Sequence, residues 1–78
     1  MITKKDRLSV QIGIKIKLLR NKINISQEEL GQRANVSKQQ IGFIERGESS
    51  PTIDTLNQIA QALNTTIVDL VDVTKIDL

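Results

Sequence analysis

The sequence predicts an all-α domain of five short helices. The chain has 78 residues, which is the length of one domain. Polar or glycine-containing joints recur near Asn24, Asn35, residues 47–51 and Asn64, and they divide the chain into segments that are too short for βαβ units. We therefore expect a compact five-helix domain at residues 8–71, flanked by an N-terminal arm at residues 1–7 and a C-terminal tail at residues 72–78.

The first segment has two periodicities. The stretch "VQIGIKIKL" alternates apolar and polar residues as a strand does. The pattern nevertheless continues to about Lys22, beyond the length of a typical strand, and this favours a helix despite the roughly 1 kcal/mol that Gly13 costs relative to alanine. The predicted core face of this helix consists of Leu8, Ile12, Ile16, Leu19 and Ile23.

A second apolar row lies outside that core face. Val10, Ile14 and Leu18 follow one another at four-residue spacing, so they align on one side of the helix. Scattered surface hydrophobes are common and need no cause. We favour a protein contact, because three aligned apolar side chains form a contiguous patch for the folded-back arm, a second protomer or a partner protein.

The second and third segments begin with the same two signatures. Ser26 followed by Glu29 is a capping box, and Ser37 followed by Gln40 is another. Apolar residues flank each box as a hydrophobic staple. Only "RANVS" separates the two helices, and Asn35 within it tolerates the left-handed conformation of a helix end. Two short helices joined by so tight a turn form a helix-turn-helix.

The last two helices follow Pro51. The fourth runs from Thr52 to Leu63 with an apolar face, and Asn64 ends it. Thr66, with an aspartate three residues later, begins a short fifth helix that ends near Val71. The tail shows no clear period and remains unassigned.

The composition excludes most catalytic and metal sites. The chain has no cysteine and no histidine, and Phe43 is its only aromatic residue. We therefore expect no enzymatic activity, no cofactor and no metal. The sequence has no apolar run long enough to span a membrane and no signal-peptide pattern at its start, so we expect a cytoplasmic protein.

The charges are distributed unevenly along the chain. Residues 1–46 have ten Lys or Arg against four Asp or Glu, whereas residues 47–78 have one lysine against five acids. The halves therefore differ in net charge, +6 against −4, which sums to the overall +2. This is either chance in a short chain or a basic surface for a polyanion joined to an acidic surface for another contact.

The third helix has an unusual outward face. A helix N-terminus favours acidic side chains, yet this helix begins with Lys38 and two glutamines. Its outward residues are Lys38, Gln39, Gly42, Phe43 and Arg46, and none of them is acidic. Amides, a cation and an apolar ring suit the major groove of DNA, where they can contact adenine, guanine and the thymine methyl group. The alternative is an ordinary solvated polar face.

The stretch "SQEELGQRANVSKQQIGFIERGESSPTIDTLNQIAQALN" resembles the Cro and phage-repressor type of helix-turn-helix, often called the XRE family of bacterial and phage regulators. The resemblance covers residues 12 to 71 and implies a lambda-repressor-like domain that binds operator DNA as a dimer. This sequence departs from the family at Gly31, where alanine is usual, and at Asn35, where glycine is usual.

The resemblance also implies roles for particular side chains. Lys38 and Gln39 correspond to base-reading positions, and Gly42 and Phe43 to the next outward positions. The expected phosphate contacts are Gln27, Gln40 and Arg46, with Lys4, Lys5 or Arg7 as further candidates. Arg20 and Glu45 correspond to a buried pair that joins the first helix to the third.

These observations together predict a sequence-specific transcriptional regulator that binds double-stranded DNA. It would occupy an operator as a homodimer on an inverted repeat, with the dimer contact in the acidic C-terminal half, including Val68 and Val71. The alternatives are a protein-interaction module, or an antitoxin-like or restriction–modification controller subunit with the same fold.

Overall fold

A computed structural model describes residues 7–74, and this part of the chain is all-helical, as the sequence predicts. The five helices are α1 (Arg7–Lys22), α2 (Gln27–Ala34), α3 (Lys38–Glu45), α4 (Ile53–Ala62) and α5 (Ile67–Val71). The predicted arm up to residue 6 and the tail from residue 75 lie outside the described residues. Within residues 7–74, no helix is long and apolar enough to cross a membrane.

Side-chain caps begin four of the helices at the residues that the sequence indicated. Ser26 accepts a hydrogen bond from the Glu29 amide and Ser37 from the Gln40 amide, each at 3.0 Å. Thr52 and Thr66 cap α4 and α5 in the same way. Each cap satisfies one backbone amide that has no partner within its helix, so the start of each helix is well defined.

Residues with positive φ follow four of the helices. Asn24, Asn35 and Asn64 have φ values of 60°, 59° and 60°, and Gly47 has 72°. These conformations allow the backbone amides after α2 to bond back to its last carbonyls, as Asn35 and Val36 do to Gln32 and Gly31. The chain can therefore reverse direction within two or three residues.

The core lies between all five helices. α1 packs against α3 and α5, α2 packs against α3 and α4, and α4 packs against α5. The largest fully buried side chains, which are nearly inaccessible to solvent, are Ile16, Leu30, Ile41, Ile44, Ile59 and Leu70. Val73 of the predicted tail also packs against this core, and Lys15 Nζ donates to the Asp72 carbonyl at 2.9 Å. The first residues of the tail, Asp72 and Val73, are thus held against the helical domain.

Gly13 lies where α1 crosses α3. A Cβ at this position would overlap the carbonyl oxygens of Ile44 and Glu45, so only glycine allows the two helices to approach so closely. The helix-propensity cost at Gly13 therefore has a packing reason.

The prediction that Leu8 belongs to the core is wrong. Its side chain is 54% exposed, whereas Ile12 and Ile16 on the same face are buried. α1 has 16 residues and α3, which it crosses at Gly13, has only eight. The first turn of α1 therefore extends beyond the helix that covers its centre.

The three residues of the second apolar row of α1 differ in their exposure to solvent. Val10 is half-buried and packs against Gly47. A Cβ on Gly47 would lie only 2.9 Å from Val10, so there is no room for a side chain at position 47. Ile14 is also half-buried, and Leu18 is 55% exposed. The loop after α3 thus covers one end of the row, and only the Leu18 end is open to another molecule.

Candidate nucleic-acid interface

α2 and α3 pack tightly on either side of a short turn. A Cβ at Gly31 would overlap the Val36 carbonyl oxygen, so this glycine allows the turn to fold back directly onto α2. Asn35 adopts the left-handed conformation that the family usually assigns to glycine. Both departures from the family pattern are therefore accommodated by local geometry, and the orientation of α3 relative to α2 is set by backbone contacts.

The first turn of α3 presents two unengaged polar side chains. Lys38 and Gln39 are exposed, and neither makes a hydrogen bond or ion pair with another residue in the described range 7–74. Ser37 fixes the backbone directly before them through its bond to the Gln40 amide. A cation and an amide thus lie on a capped helix end and are open to an external partner.

The side chain of Arg46 lies against the next outward positions of α3, Gly42 and Phe43. Its guanidinium carbon lies 5.2 Å from the centre of the Phe43 ring, and its Nε donates to Glu48 Oε1 at 3.0 Å. The sequence placed Gly42 on the outward face of this helix, and the expected exposure of Gly42 is wrong. Gly42 is buried, because the side chain of Arg46, four residues later, lies back across it.

Two glutamine amides flank this face, and each has an intramolecular partner. Gln27 Nε2 donates to Glu45 Oε1 at 3.0 Å, and Gln40 Nε2 donates to Ser49 Oγ at 3.2 Å. One further N–H and the carbonyl oxygen of each amide remain for other partners. Both residues were predicted as phosphate contacts. Of the other predicted candidates, Arg7 is exposed at the start of α1, and Lys4 and Lys5 lie outside the described residues.

Sequence reasoning missed Glu48 and Ser49, which hold Arg46 and Gln40 in place. Both follow α3 directly, after the positive-φ Gly47. The available signal was a carboxylate and a hydroxyl that follow closely after Arg46, the residue directly beyond α3. Their partners could not be assigned without the path of the loop.

A buried ion pair supports the interface from behind. Arg20 donates from Nε to Glu45 Oε2 at 2.7 Å and from Nη2 to Oε1 at 3.1 Å, a bidentate geometry. Arg20 Nη1 also donates to the Ile25 carbonyl at 2.8 Å. The side chains of Arg20 and Glu45 are only 11% and 2% exposed. The pair thus connects α1, the start of α2 and the end of α3.

The described residues offer no metal site, since no group of three or more acidic, cysteine or histidine side chains converges within residues 7–74. What the geometry does provide is a capped helix, a tight turn and a second helix with exposed donors at its first turn. This arrangement defines the helix-turn-helix class of DNA-binding domains.

Comparison with known proteins places the chain within that class. The helix-turn-helix family model matches residues 16–70, so the chain belongs to this family, and the resemblance to regulators of the XRE type is confirmed. The uncharacterized HTH-type transcriptional regulator y4dJ of Sinorhizobium fredii is 38% identical over 60 residues, which cover 77% of this chain and 78% of that one.

A control protein and a restriction–modification controller protein are also similar. The control protein C.BamHI of Bacillus amyloliquefaciens is 32% identical over 72 residues, covering 91% of this chain and 89% of the relative. The crystal structure of the restriction–modification controller protein C.AhdI from Aeromonas hydrophila superposes with a TM-score of 0.78 at 26% identity, covering 80% of this chain and 94% of that one. The similarity to both therefore extends over most of each chain.

Proposed function

We propose that this chain is a sequence-specific regulator of transcription that occupies an operator in double-stranded DNA. The observation that supports this most directly is the first turn of α3, where Lys38 and Gln39 are exposed on a capped helix and have no hydrogen bond or ion pair to another of residues 7–74. In helix-turn-helix proteins this turn lies closest to the base edges. Glutamine can pair in bidentate fashion with adenine, and lysine can donate to guanine.

Phosphate contacts from Gln27 and Gln40 would orient the domain on the duplex. Gln27 is the first residue of α2, where the helix N-terminus favours an anion, and its amide is already held by Glu45. Gln40 is held in a similar way by Ser49. Side chains that are fixed before binding lose less conformational entropy when they meet a phosphate.

We propose that the domain binds as a homodimer to an inverted repeat. Two copies related by a two-fold axis would present two α3 helices to half-sites about 10 bp apart. Val68 of α5 is 71% exposed, which supports a contact through the C-terminal half, whereas Val71 is half-buried against its own core. We therefore assign the main apolar contact to Val68 and a peripheral part to Val71.

A binding titration at two salt concentrations tests DNA binding itself. We expect affinity for duplex DNA that falls steeply with salt, and selection of a palindromic consensus from a random library. Lys38→Ala and Gln39→Ala should each lower operator affinity by about 1–3 kcal/mol and relax the preference at one base position. No binding to duplex DNA at low salt would contradict the proposal and favour a protein-interaction module.

A more specific role as a restriction–modification controller is a second candidate. Its support is that relatives named as control proteins match over most of their length as well as most of this chain. Genome-wide selection of bound DNA distinguishes this role from others. A site upstream of adjacent methyltransferase and endonuclease genes would support it, and a site elsewhere would exclude it.

A further inference from the structure

We propose that Arg46 reads a guanine in the major groove, through the space that Gly42 leaves open on α3. This inference rests on the proposed DNA-binding function and changes the role of Arg46 from a phosphate contact to a determinant of specificity. Gly42 and Phe43 occupy outward positions on α3, but neither side chain can form a hydrogen bond. A guanidinium group at the same place would supply the missing donors.

The position of the guanidinium group supports this role. Nη1 of Arg46 lies 3.1 Å from the point that a Cβ on Gly42 would occupy, and the guanidinium carbon lies 5.2 Å from the centre of the Phe43 ring. Residues four apart on a helix are neighbours on one face. Arg46 therefore lies along the outward face of α3, although its own Cα is just beyond the end of the helix.

The hydrogen bonds of Arg46 leave the appropriate donors available. Nε is engaged by Glu48, and within residues 7–74 neither Nη1 nor Nη2 has a hydrogen-bond acceptor. These two nitrogens form the planar fork that pairs with O6 and N7 of guanine. The Phe43 ring and the Glu48 carboxylate both contact the guanidinium group, so its freedom is partly reduced before DNA arrives.

The Glu48 carboxylate also distinguishes between the two possible partners of Arg46. A phosphate that approached the guanidinium would be repelled by a carboxylate bonded to the same group. The acceptors of guanine belong to an uncharged base, so they meet much less of this repulsion. The arrangement therefore favours a neutral base edge over the DNA backbone.

The test compares base preferences of the wild-type chain and Arg46 variants, by selection from a random duplex library followed by titration. The wild type should prefer one guanine in each half-site by roughly 5- to 150-fold over the other bases. Arg46→Ala should abolish this preference while leaving the others unchanged. Arg46→Lys, which retains the charge but not the fork, should lose most of it.

Gly42→Ala tests the same geometry with Arg46 still present. The added Cβ would lie 3.1 Å from Nη1 and would displace the end of a flexible side chain, so the guanine preference should fall several-fold. The domain should remain at least as stable, because alanine is the better helix former. Arg33→Ala is the matched control, since it removes an exposed arginine paired with a glutamate at 2.7 Å and should leave every base preference unchanged.

Two results would overturn the inference in distinguishable ways. If the wild type selects a consensus but Arg46→Ala weakens all sequences equally and lowers the salt slope by about 1, Arg46 contacts a phosphate and only this inference fails. If the wild type selects no consensus, the proposed sequence-specific function fails together with it.

Discussion

Removal of Arg20 should destabilise the domain more than any surface substitution. Arg20→Ala would leave the Glu45 carboxylate, 2% exposed, with the Gln27 amide as its remaining side-chain donor, and would also remove the donor to the Ile25 carbonyl. Breaking a buried pair in this way costs about 3–5 kcal/mol. A domain of this length has a total stability of roughly 4–12 kcal/mol, so the loss is a large fraction of it.

Thermal and urea unfolding followed by the helical circular dichroism signal measures this loss. Each kcal/mol lowers the melting temperature of a domain of this size by about 4–8 °C, so we expect a decrease of at least about 12 °C for Arg20→Ala. Glu45→Ala should also destabilise strongly, because it leaves a mostly buried guanidinium group with only the Ile25 carbonyl. A double replacement of Arg20 and Glu45 by methionine should recover part of the loss, since no charge is then left unpaired.

Arg33→Ala is the matched control for this experiment. It breaks an ion pair with Glu29 of the same 2.7 Å length, but both side chains are more than 40% exposed. Such a pair contributes at most about 0.5 kcal/mol. If Arg20→Ala melts within about 3 °C of the wild type, the pair does not stabilise the fold and the reasoning from its burial is wrong.

Three further predictions concern the turn and the open surfaces. Gly31→Ala should destabilise the domain despite the better helix propensity of alanine, because its Cβ would overlap the Val36 carbonyl, and urea unfolding measures the change. Val68→Asp should shift the chain toward monomer in light scattering while leaving the melting temperature of the monomer unchanged, because the side chain is 71% exposed. Ile14→Glu combined with Leu18→Lys should alter mass in solution, solubility or partner binding; if mass, melting temperature and operator affinity all match the wild type, the row on α1 is only surface.

The helix boundaries were predictable because the signals that determine them are local. Ser26 and Ser37 each cap the backbone three residues later, a relation that the sequence alone displays. Asn35 and Asn64 end helices for an equally local reason, their tolerance of positive φ. The exposure of Leu8 was not predictable in this way, because it depends on how far α1 extends beyond its neighbours.

The candidate site was only partly predictable for a related reason. The exposed Lys38 and Gln39 followed from helical periodicity and the cap at Ser37. Arg20 and Glu45 are 25 positions apart, and only the family resemblance connected them. The coverage of Gly42 by Arg46 depends on a side-chain conformation and on the loop that brings Glu48 to its Nε, and neither can be derived from spacing.

Gln27 links the stability of the fold to the proposed binding of DNA. Glu45 Oε1 accepts from both Arg20 Nη2 and Gln27 Nε2, so the carboxylate that holds α1 to α3 also orients the amide at the start of α2. Gln27→Ala removes only one half-buried hydrogen bond, and we expect a loss of about 0.5–1.5 kcal/mol in unfolding free energy.

The same substitution should weaken binding to operator and random duplexes by an equal factor. The slope of affinity against salt should not change, because glutamine carries no charge and releases no counterion. This separates Gln27 from Lys38, whose loss should alter both base preference and salt dependence. A change in base preference for Gln27→Ala would show that the amide contacts a base, and an unfolding loss above about 3 kcal/mol would show that it is an essential member of the buried pair.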